Sequence, residues 1–304
     1  MSGRVLVAGG VAVERIVEYH FLPRPAALRI AHTLGASVAG TGALAAVAAA
    51  AAGATVRCVA TVGSDAAGRA IRDRLARADV DVTTVRPTPG ESARLLRSLP
   101  AGAGGEESIL LPGADAGEGV FADVAALDGF QPGDVLLLDW SSLPRAMVLI
   151  DAAYARDLQI VALLTPYPPT LTDADLGRVD VVILDQAGAA AMADGGYLPA
   201  SLCVIVGDAG LSWDGQTIVA PGGSVPSGPL PTGFTPRGFA VPGPAPEVGW
   251  PAQGYAVLAG TIAARLALGD DRPEAGLAGL EAAATVGKRP IPYPDLRLHE
   301  GDLG

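Results

Sequence analysis

The chain has 304 residues, of which 50% are hydrophobic and 17% charged, enough apolar material for one large α/β core or two small ones. A formal net charge of −11 argues against a protein that tracks nucleic-acid phosphates, and fits an acidic surface that favours solubility. Lys288 is the single lysine, so a P-loop ending in Gly-Lys-Ser/Thr is excluded.

Forty glycines and 25 prolines imply many turns or long irregular segments. Arg4–Ala8 is a short apolar run that ends in Gly9-Gly10, as a buried strand entering a loop does. Residues 11–30 contain an alternating stretch and then Leu22-Pro-Arg-Pro25, which predicts an edge strand and a turn. Gly40-Thr-Gly42 opens a helix over Ala43–Ala52, stopped by Gly53. Val56–Val62 follows as a strand. Asp65 then stands at an N-cap position before a helix over Ala66–Ala78, with Ile71 and Leu75 on its apolar stripe.

After Val80 the pattern changes. Ser92–Pro100 and Ser108–Pro112, joined by a glycine-rich connection, predict a hairpin. Strand candidates then recur at Val135–Leu138, Ile160–Leu164, Val181–Leu184 and Cys203–Val206, with helices near Pro144–Arg156 and Ala187–Ala193. That rhythm argues for a parallel sheet covered on both faces. The Pro/Gly-dense residues 221–251 exclude a central strand or a helix and predict a long surface loop. Helices over Gln253–Leu268 and Pro273–Val286 close the chain.

Cys58 and Cys203 fall in apolar strand-like runs and are expected as buried thiols rather than a disulfide or metal site. His20, His32 and His299 lack metal-ligand spacing. The alanine-rich run Ala43–Ala54 is too short to span a bilayer, and the N-terminus lacks a signal-peptide pattern. A cytoplasmic protein without nucleic-acid or membrane partners is the expectation.

Six blocks in order resemble the ribokinase, or PfkB, family of carbohydrate kinases. Val5-Leu-Val-Ala-Gly-Gly-Val-Ala-Val-Glu14 is similar to the family's first strand and substrate loop, and Leu22-Pro-Arg-Pro25 follows it. Ala39-Gly-Thr-Gly-Ala-Leu-Ala-Ala-Val47 is similar to the Gly-Gly-Lys-Gly-Ala-Asn signature. Val62-Gly-Ser-Asp-Ala-Ala-Gly68, Pro112-Gly-Ala-Asp115 and Val206-Gly-Asp-Ala-Gly210 resemble three further family elements. The resemblance implies a single three-layer α/β domain with a mostly parallel sheet. It also implies a small β-lid built from about 11–35 and 88–113, which pairs two copies in some relatives. A small-molecule ligand would lie under the lid, and ATP with magnesium would be the cofactors. The γ-phosphate would meet the N-terminus of the helix beginning near residue 253, where free N–H groups favour anions.

The same alignment of motifs places Ala12, Glu14, Gly40, Thr41, Gly42 and Leu44 in the substrate pocket. Asp185, Gly207, Gly210, Gly254 and Tyr255 correspond to the nucleotide and anion site. These residues depart from the family's pattern in one direction. Glu14 replaces an aspartate that holds sugar hydroxyls, and Leu44 replaces an asparagine, which removes a hydrogen-bonding partner. Asp185-Gln-Ala-Gly188 replaces Asn-Glu-x-Glu, which argues against the family's magnesium arrangement. Tyr255 stands where the family's catalytic aspartate is expected, and a phenol with a pKa of about 10 is a poor acceptor for a hydroxyl proton near neutral pH. No catalytic or metal-binding residue can therefore be assigned.

The expectation is a ribokinase-fold protein that binds a small molecule without transferring phosphate. A divergent active kinase using Glu14, Asp185 or Asp208, or a fold recruited to another reaction, remain alternatives. So does a dinucleotide-binding oxidoreductase, because Gly40-Thr-Gly42-Ala-Leu-Ala45 mimics Gly-x-Gly-x-x-Ala. Tyr255 and Trp250 are read either as packing aromatics or as rings at a ligand site. Glu14 is read either as a solvated acid at a lid edge or as a ligand acceptor.

Overall fold

The computed structural model describes residues 3–19, 32–100, 107–113, 120–165, 176–196, 199–206, 210–219, 252–286 and 293–303. The expected turn at Leu22–Pro25 and the Pro/Gly-rich 221–251 lie outside these residues.

Two sheets organise the fold. The strands of the larger one are β1 (Arg4–Ala8), β4 (Thr55–Gly63), β5 (Val80–Asp81), β6 (Val85–Thr88), β9 (Val135–Asp139), β10 (Gln159–Leu163), β11 (Val181–Asp185), β12 (Leu202–Val206), β13 (Gly210–Trp213) and β14 (Gln216–Val219). Their order is β14-β13-β12-β11-β10-β9-β1-β4-β5, with β6 pairing a further stretch of β4. All pairs are parallel except β12–β13 and β13–β14. The central strands are apolar on both faces, and alternation sorts them into two cores. Val5, Val7, Leu137, Val161 and Ile183 point into one, while Leu6, Ala8, Leu136, Leu138 and Leu184 point into the other.

Helices cover both faces, which makes the three-layer α/β sandwich that the sequence predicts. They are α1 (Thr41–Ala51), α2 (Ala66–Arg77), α3 (Met147–Tyr154), α4 (Gln186–Asp194), α5 (Ala252–Ala267) and α6 (Arg272–Val286). The expected helix from Pro144 is instead a 3-10 turn over Leu143–Arg145, followed by α3 from Met147, with Ala146 leaving helical geometry at φ −103°. Alanine-rich α1 lies against α5 at very short range. A Cβ added to Gly260 would stand 2.2 Å from the Ala45 carbonyl oxygen, so the α1–α5 contact depends on the missing side chain.

The smaller sheet combines β2 (Ala12–Tyr19), β3 (His32–Ala39), β7 (Arg94–Pro100), β8 (Glu107–Leu111) and β15 (Arg297–Leu298) in the order β15-β3-β2-β7-β8. Residues 32–39 form a strand that the sequence reading did not include. It belongs to this sheet, where its first half faces solvent.

The two sheets are joined at Asp65, which caps α2 by accepting from Gly68 N at 2.8 Å and also binds Ser92, whose hydroxyl donates at 2.6 Å and amide at 3.0 Å. Burial works to raise the Asp65 pKa, but the Ser92 and Gly68 donors outweigh it and hold the carboxyl below its ordinary value. Cys58 and Cys203 are buried free thiols. Burial, with a smaller contribution from Asp139, pushes Cys58 up to about 12.

Gly260→Ala is expected to lower the unfolding free energy by about 1–3 kcal/mol through overpacking against α1, read as a reduced urea midpoint at unchanged slope.

Candidate functional site

Ligands of open α/β sheets sit outside the carboxyl ends of the strands, and the candidate site lies there. After β1 the chain crosses to the small sheet through Gly9, Gly10 and Val11. This crossing is pressed onto the start of α1. The amide of Gly42 donates to the Gly10 carbonyl at 2.9 Å, and a Cβ on Gly42 would be 2.6 Å from the Gly9 carbonyl carbon. Gly40 has φ +97° and would place a Cβ 2.5 Å from the Gly10 oxygen. Both glycines thus shape the loop by allowing backbone to touch backbone.

The other sequence-predicted pocket residues separate. Thr41 borders a narrow crevice with Asp139 and Leu163. Ala12 and Leu44 are buried, and Leu44 packs in the main core. The apolar replacement of the family's asparagine is therefore a core residue.

Glu14 differs most from the reading as a solvated acid. Its exposure is 0%, and it is paired with Arg97, itself 3% exposed. The register sets this contact up, because Glu14 lies opposite Leu95 of β7, two residues from Arg97 on the same face. Arg97 Nε donates to Oε1 at 2.8 Å and Nη2 to Oε2 at 3.1 Å, the two-pronged geometry that suits guanidinium and carboxylate. Gln253, in the first turn of α5, donates its amide to both oxygens at 3.2 and 3.1 Å. Ser37, opposite Glu14 on β3, adds a long contact at 3.4 Å. The carboxylate is supplied with donors from within the chain.

The anion-site candidates are also placed. Asp185 ends β11 and caps α4, its Oδ1 accepting from Gly188 N at 2.6 Å. Gly210 is the first residue of β13 and pairs with Val206, while Gly207 and Asp208 lie outside the described residues. Gly254 and Tyr255 lie in the first turn of α5. Gly254 is buried, and Tyr255 is half-buried and packs against the main core. No acid occupies that turn. Trp250 and Gly249 lie outside the described residues.

Two participants escaped the sequence reading. Arg97 is the charged member on the inward face of β7. Asp139, at the carboxyl end of β9, is buried and tied down by four donors: Gly10 N at 2.7 Å, Ser141 N at 3.1 Å, Ser141 Oγ at 2.8 Å and Ser142 N at 2.8 Å. It therefore fixes the loop after β1 against the loop after β9. Between these loops and the small sheet lies a cleft of about 250 Å³, bordered by Gly9, Gly10, Thr61, Leu110, Phe121 and Arg145. Among the described residues, no three His, Cys, Asp or Glu side chains gather to hold a metal ion.

A sequence model described as pfkB family carbohydrate kinase matches residues 4–188. The chain belongs to the pfkB family. Solved structures agree on the fold. Ribokinase from Thermotoga maritima is 16% identical, with 99% of this chain and 98% of that chain covered and a TM-score of 0.72. Ribokinase from Cryptococcus neoformans var. grubii serotype A, solved with ADP, is 19% identical over 97% of each chain at TM-score 0.70. A Burkholderia thailandensis nucleoside kinase, solved with inosine, is 14% identical over 96% of this chain and 94% of that chain, at TM-score 0.73. The pfkB match covers β1 through the start of α4, so it includes the Glu14–Arg97 pair but stops before Gln253 and Tyr255.

If Asp185 serves as a cap and not as a magnesium ligand, Asp185→Ala costs about 1 kcal/mol of stability. Added magnesium then leaves the melting temperatures of both proteins where they were, as differential scanning fluorimetry would show.

Proposed function

We propose that this pfkB-family protein binds a small molecule in the cleft beneath its small sheet, which acts as a lid, and does not transfer phosphate. The observation that carries the reading is the state of Glu14. The acid expected to hold a substrate hydroxyl is buried and committed to Arg97 and Gln253. To bind a sugar it would have to give up those donors, at the cost of breaking a buried ion pair.

The phosphate side supports the same reading. Phosphoryl transfer depends on a positioned base and on cations that neutralise the γ-phosphate. The first turn of α5 holds Tyr255 and no acid, and one oxygen of Asp185 is spent on a helix cap. These residues do not fit the ATP–magnesium arrangement of an active family member. A divergent kinase would need another acid, and Asp139 is buried and tied to its own loops, with three donors on Oδ1 and one on Oδ2.

A panel of nucleotides, sugars and nucleosides, each with and without magnesium, tests the proposal by thermal shift and by ADP release. At least one small molecule is expected to raise the melting temperature, because it binds only the folded chain. ADP release stays at the no-protein level for every compound, and Tyr255→Asp does not raise it. Substrate-dependent ADP release by the unaltered protein would overturn the reading.

The lid also offers a surface for a second copy. Ile109 and Leu111 share one face of edge strand β8 and are 57% and 56% exposed, while no described helix is long and apolar enough to cross a membrane. A dimer through this face predicts that Ile109→Asp/Leu111→Asp halves the mass measured by light scattering.

A further inference from the structure

The four donors around Glu14 divide by where they come from. Arg97 and Ser37 stand on β7 and β3, the two neighbours of β2 in the small sheet. Gln253 comes from α5, a helix that packs chiefly on α1 and α6 in the large domain. Its side chain is buried, and its amide spans the boundary between the two parts. The link therefore runs from the lid strand, through a carboxylate, to the helix turn that carries Tyr255.

We propose that Glu14, Arg97 and Gln253 form a latch, in which the chain's own charges hold the lid on the first turn of α5. The inference rests on reading the small sheet as a lid. Each member has a distinct part. Arg97 supplies the counter-charge that keeps the carboxylate in a dry position and turns it edge-on. Glu14 presents both oxygens beyond its own sheet. Gln253 closes the latch with hydrogen bonds to a charged acceptor, which are stronger than neutral ones and strengthen further away from water. The lid of such a protein is held without help from a ligand's hydroxyls. Ligand exchange then proceeds through the open cleft bordered by Gly9, Thr61 and Leu110, with the lid in place. Arg97 and Gln253 are positioning residues in this device, since neither needs to touch the ligand.

The latch is tested on the full chain by amide hydrogen exchange, which separates local from global opening. Gln253→Leu removes the donor between lid and helix while leaving the Glu14–Arg97 pair intact. Amides of β2, β3 and β7 are expected to exchange at least about tenfold faster, the effect of losing one hydrogen bond to a charged group. Amides of β1, β9 and β10 keep their original rates. Gln253→Glu, which sets carboxylate against carboxylate, speeds the lid further. Arg97→Met does the same if it folds, and the two Gln253 variants decide the matter if it does not. Lid rates within about twofold of the original in both Gln253 variants would overturn the proposal. So would a uniform rise across lid and core, which would make the network part of one global core. None of these readouts requires a ligand or turnover, so failure of the latch is distinct from failure of the non-catalytic reading.

Discussion

The buried pair between Glu14 and Arg97 is the constraint around which this molecule is arranged. Removing a carboxylate and a guanidinium from water costs several kcal/mol each, and their attraction repays this only with close geometry and filled hydrogen-bonding positions. Here the guanidinium meets the carboxylate edge-on, and Gln253 takes up remaining acceptor capacity. Such a pair adds little net stability compared with apolar side chains of the same size. Breaking it from one side is another matter, at about 3–5 kcal/mol. The surrounding positions are therefore tied to one another: whatever occupies 14, 97 and 253 must balance as a set.

The structure keeps the fold of the pfkB family, and the physical basis is visible in the glycines. Gly42 on Gly9, Gly40 on Gly10 and Gly260 on Ala45 are contacts of backbone with backbone, with a hypothetical Cβ at 2.6 Å or closer in each case. They are needed for loops and helices to reach their places, whatever reaction the site performs. Side chains at 14, 185 and 255 act through their own contacts instead. Glu14 is held in an ion pair, Asp185 in a helix cap and Tyr255 at the edge of the core. Fold and site chemistry thus depend on different atoms.

Legibility follows the same division. The parallel strands are readable because apolar residues on both faces give continuous runs, and α2 is readable from Asp65 and its apolar stripe. The hairpin of β13 and β14 was missed although Asp214-Gly215 is a turn signal, with φ of 49° and 85° as a tight hairpin turn requires. The attachment of β15 to β3 joins residues far apart in sequence, and two residues carry no periodicity to announce it. At the site, the sequence identifies which motif positions have changed, but not what the new residues do. Glu14 reads as a solvated acid or a ligand acceptor, because its neutralising partner lies 83 residues away on β7. A register between strands is needed to bring Arg97 beside it. Leu44 reads as a pocket position, and the structure places it in the core.

Charge balance connects Tyr255 to this pair. Arg97 meets Glu14 inside the small sheet, so the carboxylate has its counter-charge there. The first turn of α5 meets that carboxylate through Gln253, and position 255 is two residues further along the same turn. An aspartate there would bring a second negative charge to a turn that already attends to Glu14. A phenol avoids this problem. It fills half-buried space against the core and adds no carboxylate to that turn. The first turn of α5 thus receives a carboxylate from the chain itself through Gln253 and carries no acid of its own.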